Sequence, residues 1–169
     1  GGAGQTSDVL DLMKHTSVRA VAMASIFHYT KCTQNYIKNE LNNLEYDAIG
    51  IGGLTTTYNF VKQFSALAKA IKPDTKIIAG NMISTAYPEL LLRNSKVDIC
   101  VIDEGEETIV ELAHRLKDFP NIETVEGIVF KKENQIIKTP PRERIKNLDV
   151  LPFPAWDLFS METYINNPI

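Results

Sequence analysis

Cysteine, histidine and tryptophan are all scarce in this chain. Two cysteines occur in 169 residues, Cys32 and Cys100, and they form neither a CxxC pair nor any metal-ligand spacing. A disulfide framework and a zinc site are therefore not expected. The three histidines, His15, His28 and His114, lie in unlike contexts, and neither an HExxH run nor a GxSxG elbow accompanies them. Long hydrophobic runs are missing too: none approaches the ~18 residues that a membrane span needs, and no signal-peptide pattern opens the sequence. Nor is there an excess of basic charge. Eighteen Lys+Arg against 21 Asp+Glu leave a net charge of −3, which argues against a nucleic-acid or anionic-membrane partner. Cys100 sits inside the apolar run Val97–Ile102, so it reads as a buried free thiol, and a reducing, cytoplasmic setting follows.

What remains is an ordinary globular composition, 44% hydrophobic and 23% charged, enough to bury one core and inconsistent with disorder or a coiled coil. Four short apolar runs recur along the first hundred residues: Val18–Ser25, Asp47–Gly52, Lys76–Gly80 and Asp98–Ile102. Continuous runs of this kind suit strands buried on both faces of a parallel sheet. Helical periods lie between them. Phe60, Val61, Phe64, Leu67, Ala68 and Ile71 mark one face of a helix, which Lys72-Pro73-Asp74 ends. Pro88 suits the first turn of another, running to about Asn94. Ile109, Val110, Leu112, Ala113 and Leu116 repeat the pattern behind an acidic first turn, Glu104–Glu107. Weaker periods occur at Tyr36, Ile37, Leu41 and Leu44, and at Val9, Leu10, Leu12 and Met13.

Past residue 120 the pattern changes. Gly127–Lys131 and Gln135–Lys138 flank Lys132-Glu133-Asn134 and predict a β-hairpin. Residues 140–169, opening with Pro140-Pro141 and carrying Leu151-Pro152-Phe153-Pro154, read as an extended linker. The expected fold is α/β: a three-layer α/β/α, flavodoxin-like (Rossmann-like) parallel sheet over residues 1–139, with a C-terminal hairpin. Successive right-handed crossovers would place three helices on one face, and the helix before the first strand and the helix after the fourth on the other.

In such sheets ligands meet the loops at the carboxyl ends of the strands. The loop after the second run is Gly52-Gly53-Leu54-Thr55-Thr56-Thr57-Tyr58, where glycines allow close approach and hydroxyls can hydrogen-bond. It is not GxGxxG, and the bland alternative is a glycine turn with a threonine N-cap. The other two loops begin Gly80-Asn81-Met82 and Asp103-Glu104-Gly105. Four acids crowd the last, but Glu106 and Glu107 read as helix-start residues, so no protein metal site is expected.

Together GIGGLTTTY (Gly50–Tyr58), IIAGNMIST (Ile77–Thr85), VDICVIDEGEETIVEL (Val97–Leu112) and the proline-rich exit ending at Phe159 resemble the cobalamin-binding domain of cobalamin-dependent radical-SAM proteins. The resemblance covers roughly two thirds of the chain, from Tyr46 to about Tyr164. It implies cobalamin as cofactor, held by Leu54, Thr55, Thr56, Thr57, Gly80, Asn81, Glu104 and Gly105. It also implies a non-catalytic accessory role, with a radical-SAM domain following the linker as partner. The AspxHisxxGly motif is absent, so no protein histidine is expected on the cobalt. No CxxxCxxC occurs, so no iron–sulfur cluster is expected in this chain.

The first 44 residues are similar to something else, the last quarter of the (β/α)8 cyclase subunit of imidazole-glycerol-phosphate synthase. That resemblance implies phosphate contacts at Gly1, Gly2, Ala24 and Ser25, as in a phosphate- or nucleotide-binding fragment. A ligand-free structural domain of the same fold is a further alternative. A receiver domain is disfavoured, because Ile26-Phe27 and Gly52-Gly53 stand where its acids belong. Finally, the first strand would form an apolar sheet edge, through which two copies could pair.

Overall fold

A computed structural model describes Ala22–Met23, Asn42 and residues 46–153. Among the described residues, six strands form one sheet in sequence order: β1 (Ala22–Met23), β2 (Ala48–Gly52), β3 (Lys76–Gly80), β4 (Ile99–Val101), β5 (Ile128–Lys132) and β6 (Gln135–Lys138). The first four are parallel, with Ala22 beside Gly50, Ile49 beside Ile77 and Ala79 beside Cys100. The apolar runs thus become strands in the expected order.

The hairpin is present as well, turning through Glu133-Asn134 with Glu133 at φ 53. Its place was not legible beforehand: β5 lies antiparallel on β4, pairing Val129 with Cys100, and so extends the sheet. The reason is burial on both faces, since Ile128, Val129 and Phe130 are all inaccessible.

Strand alternation sorts the core into two halves. Ile49, Ile51, Ile77, Ala79, Cys100 and Val129 face one side. They pack under α1 (Tyr58–Ile71), α2 (Asn81–Ala86) and α3 (Pro88–Asn94). Ala48, Ile78, Ile99, Val101, Ile128 and Phe130 face the other, against Leu112 of α4 (Glu106–Arg115) and against Ile122 and Val125 of the following loop. This is a flavodoxin-like α/β fold with helices on both faces.

Helix α1 buries Val61, Phe64 and Ala68 and stops at Lys72, whose extended backbone precedes Pro73. α3 begins on Pro88 as the sequence indicated. α4 begins on Glu106 and Glu107, but its apolar stripe is rotated from the expected one. Thr108 and Leu112 are buried, whereas Ile109 and Val110 are 41% and 57% exposed. Thr108 can turn inward because its hydroxyl donates to the Glu126 carbonyl at 3.4 Å and accepts from Arg142 Nε at 2.9 Å. His114 lies exposed on the last turn of α4. Among the described residues, no helix is long and apolar enough to cross a membrane.

At the amino-terminal edge of β3 and β4, side chains pair with one another and with backbone. Lys69 Nζ sits 2.8 Å from Asp98 Oδ2 and donates to the Thr75 carbonyl at 2.6 Å. The same Asp98 oxygen accepts the Ile77 amide at 2.8 Å.

Candidate functional site

The carboxyl-terminal edge is built differently. Gly52 pairs with Gly80 at the last rung between β2 and β3. A Cβ added at Gly80 would meet nothing within 4 Å, so open space lies above its backbone.

Two loops and the start of α2 rise around this opening. After β2, Gly53 is buried, and a Cβ there would come within 2.2 Å of Thr57 Oγ1. Glycine is therefore required for the turn to close. Thr57 Oγ1 donates to the Leu54 carbonyl at 2.7 Å, and the Thr57 amide donates to the same oxygen at 3.0 Å. Thr57 is buried and committed to this turn, while Leu54, Thr55 and Thr56 are exposed. The segment after β3, a loop in the sequence reading, is instead the helix α2, which starts on Asn81 directly after Gly80 because the Ile83 and Ser84 side chains turn into the core. It is fastened to the first loop, since the Ile83 amide donates to the Gly53 carbonyl at 3.0 Å. Asn81 takes a left-handed conformation, φ 65, with its Oδ1 accepting from the Met82 amide at 2.6 Å. Asparagine tolerates that region better than most residues.

After β4, Asp103 is also left-handed, φ 57, and its amide donates to Thr85 Oγ1 at 3.0 Å. The Glu104 carboxylate accepts the Ile145 amide at 3.0 Å. A Cβ at Gly105 would lie 3.1 Å from Val101 Cγ1.

The fold therefore gathers Leu54, Thr55, Thr56, Gly80 and Asn81 along one edge, with Glu104 and Gly105 on the neighbouring loop. It diverts the hydroxyl of Thr57 inward and the carboxylate of Glu104 toward residue 145. Two contributors were not singled out from the sequence. Met82 stands 55% exposed beside Asn81. Thr85 fixes the loop after β4, and only a contact across 18 residues reveals it. Gly1, Gly2, Ala24, Ser25 and His28 lie outside the described residues.

Cys100, on β4, is a buried free thiol, and burial pushes it up to about 12. It is no nucleophile near neutral pH. Among the described residues, no group of three or more His, Cys, Asp or Glu could hold a metal ion. The arrangement suits binding: backbone left bare by glycine, small hydroxyls, one amide and two exposed apolar side chains.

Comparison with known proteins gives these features a family context. The family model described as "B12 binding domain" matches residues 8–113, a continuous stretch that includes most of the segment likened to a cyclase barrel. An uncharacterized methyltransferase of Pyrococcus horikoshii is 29% identical over 125 residues, 73% of this chain and 27% of its own length. The anaerobic magnesium-protoporphyrin IX monomethyl ester cyclase of Synechocystis is 29% identical over 117 residues, 69% of this chain and 23% of its own. The chain thus spans about a quarter of the length of these relatives. Among solved structures, OxsB, a cobalamin-dependent S-adenosylmethionine radical enzyme with aqua-cobalamin bound, superposes with a TM-score of 0.66 at 18% identity, covering 88% of this chain and 25% of that one. The radical S-adenosylmethionine methyltransferase TsrM from Kitasatospora setae, with cobalamin and a 4Fe-4S cluster bound, gives 0.62 at 14% identity, covering 85% and 26%. These two share the fold.

Proposed function

Because the chain belongs to the B12-binding domain family, we propose that it holds cobalamin against the carboxyl-terminal edge of β2, β3 and β4. It does so as the cobalamin-carrying part of a larger radical-SAM protein and without catalysis of its own. The observation that carries the reading is Gly80, whose missing side chain leaves open space beside Gly52 in the last rung of the sheet. A flat, bulky corrin can approach backbone only where no Cβ projects.

Thr55, Thr56 and Asn81 would supply hydrogen bonds to the amide-bearing rim of the ligand, and Leu54 and Met82 apolar contact. Gly105 keeps the loop after β4 low. Among the described residues the one histidine, His114, lies at the far end of α4 from these loops; the reading places no protein imidazole on the cobalt. When bound, cobalamin supplies a cobalt centre able to carry an alkyl group; the residues of this chain supply binding and orientation. Two relatives of equal identity carry different reaction names, a methyltransferase and a cyclase. That pattern supports a domain that delivers the cofactor while the reaction is set elsewhere. Pairing of two copies through β1, the end strand of the described sheet, belongs to the same proposal.

Mixing the purified chain with hydroxocobalamin and separating it by gel filtration tests both parts. Cobalamin absorbance should co-elute with protein at the volume of a dimer. A colourless protein peak overturns cobalamin binding, and a monomer volume overturns the pairing.

A further inference from the structure

We propose that residues 139–147 form a strap coupling the ligand edge to the chain that follows, with Arg142 as its positioning residue. The ligand arm of this proposal rests on the cobalamin reading above; the arm without ligand does not.

The strap is fixed at three points. At its root, Thr139 is buried, its amide donates to the Ile128 carbonyl at 3.0 Å, and Pro140 accepts the Gly127 amide at 2.8 Å. In the middle, the Arg142 side chain is only 20% exposed. It donates from Nε to Thr108 Oγ1 at 2.9 Å, binds Glu111, and lies 3.6 Å from Glu107. At the far end, the Ile145 amide donates to Glu104 Oε2 at 3.0 Å.

Glu104 is the shared element. Its carboxylate holds the strap, while its backbone lies between left-handed Asp103 and Gly105 in the turn at the ligand edge. Of the acids Glu104, Glu107 and Glu111, the last two meet the Arg142 guanidinium and the first the Ile145 amide. A guanidinium reaching three partners on α4 orders the chain in a way a single ammonium cannot. Coupling of this kind is reciprocal. A ligand that orders residues 103–105 should order Ile145, and release of Arg142 should loosen residues 103–105.

Hydrogen–deuterium exchange on the wild type and on Arg142→Ala, Arg142→Lys and Glu111→Gln reads this directly. Without ligand, Arg142→Ala should speed exchange at the amides of residues 103–105 by at least fivefold and leave Ile77–Ala79 unchanged. Arg142→Lys and Glu111→Gln should fall between it and wild type. Unchanged exchange at 103–105, or an equal rise in the β3 core, overturns the strap. With hydroxocobalamin, the Ile145 amide should be protected in wild type and much less in Arg142→Ala. Bound cobalamin that leaves Ile145 unprotected overturns the coupling. A wild type that binds no cobalamin overturns the cobalamin reading instead, and exchange in the ligand-free protein then decides the strap alone.

Discussion

The two ends of the same parallel sheet solve opposite problems. At the amino-terminal edge of β3 and β4 the polar groups answer one another: Asp98 takes both the Lys69 ammonium and the Ile77 amide, and Lys69 also caps the Thr75 carbonyl. At the carboxyl-terminal edge it leaves Gly80 bare, keeps Thr55 and Thr56 in solvent, and exposes Leu54 and Met82. A closed end gives stability; an open one keeps surface for something else. The difference shows that composition alone does not mark a site, since both edges are rich in small polar residues. What marks it is polar groups and backbone left without an internal role.

The largest effect should come from breaking the closed edge. Asp98→Ala removes a partly buried carboxylate from two donors at once, so unfolding free energy in urea should drop by about 1.5–3 kcal/mol, the range for hydrogen bonds to a charged group. Cobalamin affinity of the protein that remains folded should be unaltered. A variant that keeps its stability while losing cobalamin would invert the assignment of the two ends.

At the open edge the same logic gives the reverse signature. Gly80→Leu adds a side chain into empty space, at a backbone conformation any residue adopts, so stability should stay within about 0.5 kcal/mol. Cobalamin binding, followed by absorbance titration, should weaken by about tenfold or more, equivalent to about 1.4 kcal/mol. Gly105→Trp is a poorer probe, because its Cβ would already press Val101 at 3.1 Å. Equal affinity for Gly80→Leu and wild type would place the ligand elsewhere.

The smallest contrast lies within three consecutive threonines. Thr55→Ala should cost about 1 kcal/mol in cobalamin affinity and leave stability alone, the value of one neutral hydrogen bond. Thr57→Ala should cost about 1 kcal/mol in stability, because its hydroxyl is spent on the Leu54 carbonyl. Titration and urea denaturation of both variants would separate a ligand contact from a turn support two residues away.

Much of the frame was legible because its causes are local. Ile77-Ile78-Ala79 and Ile99-Cys100-Val101 are apolar on both faces and can only be central strands. Pro73 and Pro88 punctuate helices through their own rings. The loop positions followed, since parallel strands present their carboxyl ends on one edge. The stripe of α4 was less legible: Ile109 and Val110 look like core, yet Thr108 takes that place because Glu126 and Arg142 satisfy its hydroxyl from distant parts of the chain. Thr57 was not legible either, since nothing in Thr55-Thr56-Thr57 says which hydroxyl turns inward to the Leu54 carbonyl.

The sequence by itself thus determined the order of the parallel strands and the helix limits set at Pro73 and Pro88, and it predicts the edge at which a ligand would meet the protein. These depend on residue type and on spacing along a few turns of chain, where sterics and the side-chain period act directly. Tertiary structure alone decided three other things: that β5 pairs with β4, that Gly80 stands open while Gly53 is filled by Thr57, and that Glu104 gives its carboxylate to Ile145 rather than to the site. Each of these turns on which partner reaches a polar group or an empty volume first. For β5 and Glu104 that partner lies tens of residues away, and for Gly80 it is no partner at all, and the packed core sets the outcome.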